Sequence, residues 1–125
     1  MEKKNIIAGS LLIAGFLFLG GYLQSQLGAG ELWKMSARHA FWKIAHVHGL
    51  GIGILNILYG LILKNYSSNS KILNMGSILA ALGTLMPVAL FLAGIQPEFK
   101  FLSPLGGFSM ILAWITLAYF MLVKK

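Results

Sequence analysis

The run at residues 42–63, WKIAHVHGLGIGILNILYGLIL, constrains this chain more than any other. It is apolar throughout, yet it carries two histidines, an asparagine and four glycines. At about 1.5 Å per residue, a helix of this length crosses the roughly 30 Å hydrocarbon core of a bilayer. Ionisable groups at that depth are costly to bury and mark function by default. On a helix, His46, Gly49, Gly53, Asn56 and Gly60 fall at i, i+3, i+7, i+10 and i+14, which is one continuous stripe. His39 lies seven residues further back on the same face. Such a stripe is a groove that a flat molecule or a neighbouring helix can enter. His48 points about 200° away from His46 at about 100° per residue, so one face cannot present both.

Composition fixes the class. The 125 residues are 58% hydrophobic and only 10% charged, with a mean hydropathy of +0.79. Soluble domains carry about 25% charged residues. The chain therefore reads as an all-α integral membrane protein, because long apolar runs satisfy their backbone in lipid as helices. Cysteine is absent, which excludes disulfides, thiolate metal sites and thiol catalysis. The net charge of +7 sits at span ends, where basic residues orient helices, so a nucleic-acid partner is not implied.

Four spans are predicted, at about 5–23, 41–63, 72–95 and 104–123, forming one four-helix domain over residues 1–125. The run after Met1-Glu2-Lys3-Lys4 is longer than a signal-peptide core and reads as a retained first span. Residues 24–40 form the longest polar connection and suit a short interfacial helix between spans one and two. The connection at 65–71, NYSSNSK, reads as a solvated turn. In the third span, Gly76, Ala80, Gly83 and Pro87 share a face, and Pro87 should kink the helix near Gly83. Gly106, Ser109, Ala113 and Thr116 make a comparable face on the fourth. Six lysines (Lys3, Lys4, Lys64, Lys71, Lys124, Lys125) fall on one side, against Lys34, Arg38, Lys43 and Lys100 on the other. That excess puts both termini in the cytoplasm, in a membrane of the bacterial inner (plasma) type.

Each singled-out residue has a structural and a functional reading. His46 is either a cofactor or metal ligand, or a buried imidazole bonded to a neighbouring helix. His48 is a second candidate ligand or an interface contact. The His-x-His pair lacks a carboxylate or sulfur partner, so it is a poor zinc or copper site by itself. His39, at the membrane surface, reads as solvated. Asn56 makes either an interhelical hydrogen bond or a catalytic substrate contact. Gly49 and Gly53 serve close helix packing or leave a cofactor slot. Lys43 either snorkels outward or meets an acidic group.

Trp42-Lys43-Ile44-Ala45-His46, with Leu55-Asn56 further along, resembles the second span of the small four-span membrane isomerases, styrene oxide isomerase and the hydroxylaminobenzene mutases. Gly76-Ser77-Ile78, a proline-containing loop and a fourth span with Gly106-Gly107 extend the resemblance. It implies a haem b held by His46 with the other axial position open, Gly49, Gly53 and His48 around it, and Lys43 near a propionate. It also implies iron acting as a Lewis acid in an isomerisation of small apolar substrates. What carries over is the fold and the haem site rather than the specific reaction.

Two other classes stay open from the residues alone. One is a non-enzymatic membrane subunit or assembly partner whose glycine faces pack on other chains. The other is a small histidine-dependent transporter, though residues 5–23 lack the carboxylate on which small drug exporters rely. The small-residue faces also suggest a homo-oligomer, a dimer or trimer, in the bilayer.

Overall fold

The computed structural model describes residues 2–66 and 70–123. It is all-helical, with no strand among the described residues. Helix α1 covers Glu2–Ser25, the single turn α2 covers Glu31–Lys34, and α3 covers Ala37–Asn65. Helices α4 (Lys71–Leu82) and α5 (Leu85–Ala93) follow, then a 3-10 turn over Pro97–Leu102 and helix α6 over Ser103–Val123. Four helical stretches, Glu2–Ser25, Ala37–Asn65, Lys71–Ala93 and Pro97–Val123, are long and apolar enough to cross a membrane.

The spans match the sequence expectation, the first two longer at both ends, the third ending two residues sooner at Ala93 and the fourth helical from Pro97. The connection at 24–40 differs from it. Helix α1 runs on to Ser25, α2 is a single turn, and the Ser36 hydroxyl accepts from the His39 backbone N–H at 3.2 Å and starts α3 four residues early. Part of the expected turn at 65–71 lies outside the described residues. The third span breaks where Pro87 demands it. With no N–H to give the Gly83 carbonyl, the chain tightens so that Met86 N–H donates to Gly83 O at 3.2 Å, and α4 ends as α5 begins.

Helix α1 packs antiparallel along α3, α6 packs along α4 and α5, and α3 joins the two pairs through α5. The α3 seam has two sides. Ala45, Ile52, Tyr59 and Leu63 are buried in the common core, while the glycine stripe meets α1. Gly60 lies beside the Glu2 carbonyl, and the Tyr66 and Phe120 rings stand 6.0 Å apart. Both termini therefore lie at one end of the bundle. At the other end Trp42 stacks on Phe91 (5.4 Å, 13°), with Tyr22 and Trp33 against its edge.

Candidate functional site

The stripe on α3 is present as read from the sequence, and α1 fills it. A Cβ on Gly53 would stand 2.7 Å from the Ile13 side chain and 2.9 Å from the Gly9 carbonyl. Phe16 lies directly over Gly49, and Gly20 lies against the His46 ring. Close backbone approach of this kind is how helices associate in lipid, where no hydrophobic effect pulls them together. A porphyrin therefore has no slot between α1 and α3, and Gly49 and Gly53 do not fit a cofactor-binding role there.

His46 is half-buried and bound on one side only. Its Nδ1 lies 2.6 Å from the Phe16 carbonyl, and because a carbonyl only accepts, Nδ1 must carry the proton. In the neutral ring this places the lone pair on Nε2, which makes no hydrogen bond among the described residues. Metal-ligating histidines are commonly held this way, one nitrogen donating to a carbonyl while the other stays free to ligate. The donor chemistry thus fits an axial ligand even though the slot does not. On α3, His46 lies on the glycine face that meets α1, with its ring against Gly20.

The other candidates are not gathered around it. His48 Nδ1 bonds the Ile44 carbonyl of its own helix at 3.0 Å, and Lys43 is exposed. His39 is tied to the Lys34 carbonyl at 3.1 Å and its ring stands 5.7 Å from Trp33. Among the described residues no three histidine, cysteine or acidic side chains come together as a metal cluster.

Asn56 lies more than two helical turns from His46, in a separate polar knot. Asn5 donates to Asn56 Oδ1 at 3.2 Å and to the Ser77 carbonyl at 3.0 Å, and the Ser77 hydroxyl donates back to Asn5 Oδ1. Asn56 donates to the Ile52 carbonyl at 3.2 Å. Asn5 and Asn56 are both fully buried. The knot fastens α1, α3 and α4 near the end that holds the termini. Asn5 was the residue that sequence reasoning passed over. Its signal was position, since Asn5, Gly9, Leu12 and Phe16 form the single buried stripe of α1.

Tyr59 is the other buried polar side chain of note. Its hydroxyl lies beside Thr116 against Gly76 without reaching hydrogen-bond geometry. Comparison with protein-family models, curated proteins and solved structures gives no match.

Proposed function

We propose that this is a four-span integral membrane protein with both termini in the cytoplasm, and that His46 Nε2 is the single protein ligand of a haem b. The observation that carries the reading is the 2.6 Å contact from Nδ1 to the Phe16 carbonyl, which sets the tautomer and leaves Nε2 unshared. The resemblance of residues 42–56 to the small membrane isomerases supplies the porphyrin. A haem b held by His46 would supply Lewis-acid chemistry toward a small apolar molecule arriving from the bilayer. The chain's own part is to orient the imidazole through the Phe16 carbonyl and Gly20.

The test is optical. Protein purified in detergent and titrated with hemin should show a Soret band that saturates at one haem per chain. His46→Ala should abolish the band while helix content and monodispersity stay unchanged, and His48→Ala should retain it. A wild-type chain that stays spectrally silent after hemin addition, or a His46→Ala chain that binds as well as wild type, ends the proposal.

A further inference from the structure

Along α1, where it faces the third span, the surface opens into two adjoining hollows lined mainly by apolar side chains. Near the break in the third span, a hollow of about 260 Å³ lies between Leu12 and Phe16 of α1 and Thr84 and Val88 across from it. Above it a hollow of about 350 Å³ lies between Phe18, Trp42 and Phe91. Gly15 lines both, and a Cβ placed on it meets nothing within 4 Å. From Ala8 to Tyr22, the lining residues at the two extremes, the trough runs about 21 Å along α1. That is about two-thirds of the hydrocarbon thickness.

A cation stands at its upper end. The Arg38 guanidinium lies 5.7 Å from the Trp42 ring that walls the upper hollow. Its Nε donates to the Gly94 carbonyl at 3.0 Å, just past the end of α5. Among the described residues the other guanidinium donors make no hydrogen bond and no carboxylate pairs with Arg38. The surrounding Tyr22, Trp33 and Trp42 form the kind of aromatic layer that marks headgroup depth.

An apolar trough the length of a hydrocarbon chain, opening toward the bilayer below an unpaired guanidinium, is complementary to one class of molecule. We propose that the α1–α5 cleft is a binding site for an anionic phospholipid, one acyl chain along Gly15 and the phosphate on Arg38. Arg38 offers the phosphate planar, charge-assisted donors. His46 lines neither hollow, and the two readings share only Phe16, whose carbonyl holds His46 and whose ring walls the lower hollow.

Native mass spectrometry of the detergent-purified chain tests this with phosphatidylglycerol and phosphatidylcholine of identical acyl chains. Wild type should bind one phosphatidylglycerol about fivefold more tightly than phosphatidylcholine, the worth of one basic side chain near an anionic surface. Arg38→Gln should bring the two lipids to equal affinity, whereas Gly15→Leu should weaken both by filling the trough. Gly51→Leu, at another exposed glycine with open space beside it, should alter neither. Equal affinity of wild type for the two lipids overturns the headgroup assignment, and unchanged binding by Gly15→Leu overturns the cleft. A wild-type dimer that Gly15→Leu dissociates, without loss of lipid binding, shows instead that a second copy covers the groove.

Discussion

Two polar groups on one helix face, half-buried His46 and buried Asn56, meet different fates here. His46 is held through one nitrogen and keeps the other unshared, whereas Asn56 spends its amide inside the bundle. Polar pairs between membrane helices contribute about 0.6–2 kcal/mol each. Asn5 makes three such contacts and bridges two neighbouring helices, so Asn5→Leu is expected to cost about 1–3 kcal/mol of bundle stability, since it also leaves Asn56 Oδ1, the Ser77 hydroxyl and the Ser77 carbonyl without the bonds Asn5 gave them. Asn56→Leu should cost less, because its Nδ2 serves only the carbonyl of its own helix. The double substitution should fall well short of the sum, as expected of residues in one network. Unfolding in mixed detergent–SDS micelles, followed by circular dichroism, reads all three. Strict additivity would mean the knot does not act as a unit. Neither substitution should alter a haem spectrum, since both residues lie far along α3 from His46.

At the scale of the helices, small residues decide how closely the elements approach. Gly51 and Gly53 are two residues apart on α3 and differ in everything but identity. Gly53 is buried against the Gly9 carbonyl, while Gly51 is exposed with nothing within 4 Å of a Cβ. Gly53→Ala is therefore expected to force α1 off α3 at about 1–3 kcal/mol, the usual cost of overpacking. Gly51→Ala should leave stability unchanged or raise it, since alanine is favoured over glycine in a helix by up to about 1 kcal/mol. The same SDS titration distinguishes them, and equal effects would contradict the packing described here. The stripe itself was legible in the sequence because a 3.6-residue period leaves no choice about which residues share a face. Its occupant was not, since a glycine face receives a helix and a flat cofactor equally well, and only the partner on α1 decides between them. The break at Gly83–Thr84 was legible for a different reason. Proline removes a specific donor, and the consequence falls four residues earlier wherever the chain runs. What escaped was Asn5, one polar residue at the start of a span, whose meaning depends on Ser77 lying 72 positions away.

For the molecule as a whole, the shared end of the two termini follows from the packing, because Glu2 meets Gly60 and Phe120 meets Tyr66. Which compartment that end faces is a question of charge. By sequence, six lysines belong to the side of the termini against four basic residues on the other, and only short loops contribute. That excess predicts that the termini face the cytoplasm. Because the chain contains no cysteine, single cysteines report this cleanly. In intact cells a membrane-impermeant maleimide should label Glu98→Cys, on the exposed 3-10 turn, and leave Lys64→Cys untouched until the cells are lysed. The reverse pattern would invert the orientation and place His46 in the cytoplasmic half of the bilayer. Labelling of both positions in intact cells would mean that two orientations coexist. Moving two lysines from the terminal end to the α2 segment should then shift the proportion between them.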